Sequence, residues 1–196
     1  MTVIPIDDMP AFDLHVHTKY SRCSLNDPSK LVKRCLKVGL TGVVITDHNT
    51  MKGYEQVRKE AGELQVIPGC EFTTERGEVL GLFIQEMIKF DGVEELVDRI
   101  HQQGGLASVP HPFDGMRHSA WPISADESKL VDAVEVWNGR CLSKAYNLTA
   151  REFADDNGLA YTAGSDAHFL NEVGKCYVQT DGDLADGIRR KELRIR

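Results

Sequence analysis

Short β-branched runs alternate with amphipathic helical stretches along most of the chain, and nearly every run ends in a histidine or a carboxylate. Such alternation predicts an α/β domain on a mainly parallel sheet, because parallel neighbours need a crossover and a helix supplies it. Strands are expected over 11–17, 42–46, 64–71, 79–84, 106–109, 131–137, 159–163 and 175–180. Helices fill the gaps. The first starts at Asn26, Asp27 and Pro28 with a side-chain cap and a first-turn proline, and stops at Gly39. A weaker one spans 51–61. The next is capped by Asp91, with Glu94 completing a capping box, and ends at Gly104. Another runs from Ser143 to Gly158, and a short one follows Asp183. No linker, low-complexity tract or internal repeat interrupts the pattern, so 1–196 reads as a single domain. The longest irregular stretch, 110–124, holds three prolines, two histidines and Arg117, and loops of that length are often functional.

Five of the seven histidines fall at carboxyl ends of expected strands: His15, His17, His48, His111 and His168. Glu71 and Asp166 share that placement. In parallel α/β sheets, sites form at this edge, so residues far apart in sequence become neighbours in space. His15 and His17 are the sharpest local signal. Side chains at i and i+2 of a strand face the same way, so two imidazoles can share one metal. Asp166 and His168 repeat the spacing after Gly164, a residue that permits a tight bend. Glu71 ends an apolar strand, where a lone carboxylate is costly unless a metal or an arginine such as Arg76 answers it. The prolines around His111 fix its backbone. His48 reads either as a ligand or as a surface or capping histidine.

The chain is otherwise ordinary: 196 residues, 41% hydrophobic, 27% charged, formal net charge −7. No basic face is visible, which argues against a broad nucleic-acid surface while leaving a short strand end possible. No apolar run approaches the ~20 residues that span a bilayer. Residues 1–10 carry two acids and no basic leader, so they do not read as a signal peptide. Five scattered cysteines, at 23, 35, 70, 141 and 176, form no C-x-x-C pair. A reducing cytoplasm is therefore expected.

The order of short motifs resembles the PHP family, the polymerase and histidinol phosphatase domains. The motifs are Asp13-Leu14-His15-Val16-His17-Thr18, Ile45-Thr46-Asp47-His48, Gly69-Cys70-Glu71, Pro110-His111-Pro112, Val134-Glu135-Val136-Trp137-Asn138 and Gly164-Ser165-Asp166-Ala167-His168. The resemblance covers nearly the whole chain. It implies a distorted (β/α)7 TIM-like barrel with two or three divalent metals at the strand ends. It also implies roles: His15, His17, Glu71 and Asp166 on a first metal, Glu71 bridging to a second that His111 also binds, and His48 and His168 on a third. Asp47 would orient a neighbour, and Glu135 would support the ligands or form an ordinary ion pair. In two places the chain departs from the family. Relatives often carry a further His or Asp where this chain has Tyr20 to Ser24; Cys23 reads there as a free or structural thiol, with substitution for the missing ligand as the alternative. Relatives often have a His after the bridging Glu, where this chain offers Glu78, either a ligand or a surface acid.

The implied activity is hydrolysis of phosphate esters on a small molecule, a nucleotide among the candidates. Alternatives are a 3′–5′ nuclease, a histidinol-phosphate phosphatase, a non-catalytic metal-binding regulatory module and, less well matched in spacing, an amidohydrolase. Mixed imidazole and carboxylate ligands suit Mn, Zn or Fe. Such a metal lowers the pKa of bound water from ~16 towards ~7, and a pair can hold the resulting hydroxide between them. No Ser or Cys nucleophile with its own base is evident, and Ser165 reads as a turn residue. Arg117, His118 and Arg140 are candidates for holding substrate phosphate. Trp121 and Trp137 read as core or as a ring pocket. His101 reads as a surface residue, and Lys30, Lys33, Arg34 and Lys37 as a solvated helix face.

Overall fold

The computed structural model describes residues 8–196. The reading of 1–10 as no signal peptide therefore falls largely outside the described residues. The strands are β1 Ala11–Val16, β2 Gly42–Ile45, β3 Gln65–Thr73, β4 Glu78–Leu82, β5 Leu106–Val109, β6 Ala133–Asn138, β7 Ala160–Gly164, β8 Val178–Gln179 and β9 Arg194–Ile195. The helices are α1 Pro28–Lys37, α2 Lys52–Glu60, α3 Val93–Gln102, α4 Lys144–Asn157 and α5 Leu184–Arg190, with a 3-10 turn at Glu127–Leu130. The strands form one sheet in the order β7-β6-β5-β4-β3-β2-β1-β8-β9. It curls until β7 meets β1. Val16 bridges to Ala167, and the His17 amide donates to the Ala167 carbonyl over 3.1 Å. The result is a nearly closed, distorted α/β barrel. The sequence did not signal β9.

Half of the pairings are antiparallel, which corrects the mainly parallel expectation. β1–β2, β2–β3, β5–β6 and β6–β7 are parallel; β3–β4, β4–β5, β1–β8 and β8–β9 are antiparallel. The physical reason is the turn at 74–77. There the Thr74 amide and hydroxyl both donate to the Gly77 carbonyl, and so short a link can only make a hairpin. Reversal of β4 matters for the site, since its first residue, Glu78, lands at the edge where its neighbours end.

One apolar cluster takes side chains from every strand from β1 to β8, among them Phe12, Leu14, Val44, Ile67, Leu80, Leu106 and Ala133. Leu184 and Ile188 of α5 belong to it together with the first residues of β5, β6 and β7, so α5 covers the end of the barrel opposite the site. α3 buries Val93, Leu96, Val97 and Ile100. α1 buries Leu31, Val32 and Cys35 but leaves Leu36 exposed. Among the described residues, no helix is long and apolar enough to cross a membrane.

Two helix starts differ from expectation. Asp27 flanks α1 without a side-chain cap, because its carboxylate takes Lys19 Nζ at 2.8 Å instead. α3 begins after Gly92, at φ 96°, with no capping box. Glu95 reaches back to the Asp91 amide, and Glu75 accepts from the Val93 amide. Ser143 and Asp183 do cap α4 and α5 through their side chains.

Candidate metal centre

Strands β1 to β5 and β7 each bring a polar residue, at or near one of their ends, to one buried spot. His15 and His17 converge so that their Nε2 atoms lie 3.1 Å apart. Glu71 sits at the centre. Its Oε2 is 3.3 Å from His15 Nε2, 3.2 Å from His17 Nε2 and 3.2 Å from His48 Nδ1. Its Oε1 is 3.4 Å from His111 Nε2. Asp166 Oδ1 lies 3.3 Å from His17 Nε2, 3.6 Å from His15 Nε2 and 3.4 Å from His168 Nδ1. Glu78 joins from the reversed strand, 3.5 Å from His48 Nδ1 and 3.6 Å from His111 Nε2. The His168 and His48 rings flank His17 at centroid distances of 4.3 and 4.6 Å. All eight residues anticipated as metal ligands therefore occupy one cluster. Arg76 is not the partner of Glu71; it pairs with Glu94 and Glu127.

A second layer of side chains holds these groups in place. Glu135 Oε1 contacts His15 Nδ1 at 3.0 Å, while its Oε2 accepts from the His111 amide and from Asn138 Nδ2. Asn138 Nδ2 also donates to Asp166 Oδ2. Asp47 is not in the cluster. It accepts from the Thr18 amide, the Thr18 hydroxyl and the Ser21 hydroxyl, and Ser21 lies 3.2 Å from His17 Nδ1. Asp13, buried in β1, accepts from the amides of Ser165 and Gly174, tying the loop that carries Asp166 and His168 to the first strand. Sequence reasoning gave Asp13, Ser21 and Asn138 no role. Asp13 carried the same signal as Glu135, a charge inside an apolar strand.

Backbone conformation aims two of the clustered side chains. His111 and Asp166 have φ of 32° and 53°, in the left-handed region that side chains usually avoid. Gly164, read from the sequence as permitting a tight bend, is not among the glycines with positive φ. It is needed for close approach: a Cβ there would lie 2.5 Å from the His15 amide nitrogen.

Electrostatics follow from packing charges of both signs in a buried cluster. Burial opposes charge on His15, but the Asp166, Glu71 and Glu135 carboxylates outweigh it and raise its pKa well above the usual value. His17, also disfavoured by burial, is raised to about 9 by hydrogen bonds to Asp166 and Glu71. Burial would raise Glu71 and Asp166, yet His15 and the other cationic neighbours hold both well below the carboxylate range. Glu78 is pushed up to about 7 by burial and by the Glu71 charge. Burial and the neighbouring His17 charge lower His168 to about 4.

The donor set fits divalent cations. Among buried side-chain atoms, Glu71 Oε1 and both ring nitrogens of His111 have no hydrogen-bond partner within the protein, and unanswered buried polar atoms are costly. Three sets of ligand atoms each lie within 4.8 Å of one another: His15, His17 and Asp166; His17, His48 and His168; and His48, Glu71 and Glu78.

The cluster opens into a cleft of about 550 Å³ lined also by Cys23, Arg117, His118 and Arg140. Arg117 Nη1 lies 2.6 Å from Asp166 Oδ2, and its Nε donates to Asp114 Oδ2. Its guanidinium is thus engaged with carboxylates. Arg140 Nε is 3.8 Å from Glu172, and His118 is exposed. Trp121 is buried in one apolar cluster, Trp137 packs against the separate cluster that contains Phe12 and Leu14, and His101 is exposed, 2.8 Å from Asp132.

Comparison with known proteins agrees with this geometry. The PHP domain family matches residues 13–129, and the PHP-associated family matches 144–192. An uncharacterized protein of Methanocaldococcus jannaschii is 40% identical over 173 residues, covering 85% of this chain and 69% of that protein. Among solved structures, a two-domain Bacteroides vulgatus protein containing a predicted PHP-like metal-dependent phosphoesterase superposes with a TM-score of 0.80 at 16% identity, over 100% of this chain and 67% of the other. An amidohydrolase from Chromobacterium violaceum with bound sulfate and no metal gives 0.68 at 16% identity, over 83% and 89%. At such identities these likenesses establish the fold.

Proposed function

The chain belongs to the PHP domain family, and from that membership we propose that it is a metal-dependent phosphoesterase acting on a small phosphorylated molecule. The observation that carries the proposal is Glu71, a buried carboxylate within 3.4 Å of ring nitrogens from His15, His17, His48 and His111. A bridging ligand between cations has this surrounding. His15, His17, Glu71 and Asp166 would hold one ion, Glu71 and His111 a second, and His48 and His168 a third, with Glu78 completing the set. Mn, Zn and Fe all suit these donors. When bound, such ions supply positive charge for phosphate oxygens and make a water easier to ionise near neutrality.

The chain's own residues do the rest. Glu135 fixes the His15 ring, leaving Nε2 to face the site. Asp47, acting through Ser21, does the same for His17. Arg117 holds Asp166 and stands at the cleft wall, where its remaining N–H groups can meet a phosphate oxygen. Arg140 adds a second guanidinium to the same wall, and His118 a further polar ring that can meet the substrate phosphate. The continuous sheet, which runs through both matched segments, supports reading 1–196 as one domain.

The test is metal analysis of purified protein, followed by assay with Mn²⁺ against p-nitrophenyl phosphate, its bis-ester and a nucleotide panel. Phosphate release that disappears in His17→Ala and Asp166→Ala is expected. Tightly bound metal with no ester turned over would instead favour a regulatory module.

A further inference from the structure

Large apolar side chains are not spread evenly over the surface. Of eight that the described residues leave exposed, five stand on loops at the rim where the cluster opens: Tyr20 and Leu25 after β1, Met116 after β5, Leu142 after β6 and Phe169 after β7. The other three, Leu36, Met87 and Leu148, lie singly on α1, on the segment after β4 and on α4. Single exposed apolar residues are unremarkable, but a concentration around one cleft marks a binding surface. Met116 and Leu142 are 67% and 85% exposed, and both line the cleft that also contains Glu71, Asp166, Arg117 and His168.

The cleft therefore has a charged floor, a cationic wall and an apolar lip. A phosphate carried on a sugar or on another polar group would leave that lip facing water. We propose that the substrate is a phosphate ester of an apolar group, an extended alkyl or aryl alcohol. Its phosphate sits over the histidine and carboxylate cluster, and its hydrocarbon lies across Met116 and Leu142. This rests on the phosphoesterase reading above. Met116 and Leu142 line the cleft itself, so a ligand anchored by its phosphate reaches them directly.

Alkylphosphonates test the idea by binding without turnover. Ethyl-, butyl- and octylphosphonate are titrated calorimetrically into Mn²⁺-loaded protein. Affinity is expected to rise about two-fold per methylene, half of the gain that full burial would give. Met116→Ser with Leu142→Ser should flatten the series, with the largest loss for octyl and the smallest for ethyl. Both side chains are mostly exposed, so the double variant should fold. Leu148→Ser, an equally polar change on α4 away from the cleft, should keep the slope. Binding with no dependence on chain length, or a slope unchanged in the double variant, overturns the apolar-substrate proposal and leaves the phosphoesterase reading standing. No binding at any length removes the phosphoesterase reading and this proposal with it.

Discussion

A carboxylate buried in an apolar strand is tolerated only when its charge is answered, and Glu135 is answered by a histidine ring, a backbone amide and a side-chain amide. Two of these partners belong to residues of the cluster, so Glu135 couples the aim of His15 to that of His111. Glu135→Gln keeps the shape and removes the charge. It should weaken metal binding by ~10–100-fold, the usual effect of losing a group that orients a ligand, read by chelator competition. Unchanged affinity would reduce Glu135 to a packing residue. A second prediction concerns protons. In the metal-free protein His17 titrates at about 9, so below that pH an incoming cation must displace its proton. Metal affinity should therefore climb from pH 6 to pH 9, with proton release visible as a buffer-dependent binding heat. At this scale the sequence was most legible where the residue type is rare and chemically committed. His15, His17, Glu71, His111 and Asp166 declared themselves. Ser21 and Asn138 did not, because such residues usually serve turns and solvent, and only coordinates reveal what they touch.

Elements were legible where hydrophobic period and length agreed. The stripe Val93, Leu96, Val97 and Ile100 marked α3, and it is the face that α3 buries. The direction of strands was less legible, since a run of β-branched residues carries no arrow. Only the shortness of the link at 74–77 announces that β4 turns back, and with it that Glu78 joins the rim. Helix caps failed for a related reason. Asp27 and Asp91 have capping chemistry, yet Lys19 and the geometry at Gly92 took precedence. The junction of β7 with β1 makes a strong prediction. Gly164→Ala would place a methyl against the His15 backbone, which is fixed by two neighbouring strands and cannot yield as a side chain would. Overpacking of this kind should cost about 3 kcal/mol, measured by denaturant unfolding. On the proposed function the same variant should bind metal more weakly, because the carbon it displaces carries the His15 ring.

The whole molecule is a barrel whose far end is closed by α5 and filled with hydrocarbon, while its near end concentrates charge. That arrangement makes stability depend on what occupies the near end. Cations binding only the folded state should stabilise it by about 4 kcal/mol at a thousand-fold excess over their Kd. For a chain of this size that is roughly 10 °C in Tm, lost on chelation. The size of the loss should depend on pH, and its sign follows from the shifts. The folded-state pKa of His15 and His17 lies above the ordinary value, so their contribution is complete below about 6.5 and is lost as pH rises, for His17 through about 9. Glu78, raised to about 7, and Asp13, raised by burial to about 6, act in the same direction, since each favours the fold only while protonated. Glu71 and Asp166 act oppositely, held ionised and losing their contribution only in strong acid. Metal-free protein should therefore lose Tm steadily from pH 6 to pH 9. Loaded protein, whose cations replace the displaced protons, should lose much less. Thermal melts of both forms across that range should diverge towards alkaline pH. Parallel curves would mean that the buried imidazoles and carboxylates neutralise one another without any need for a metal.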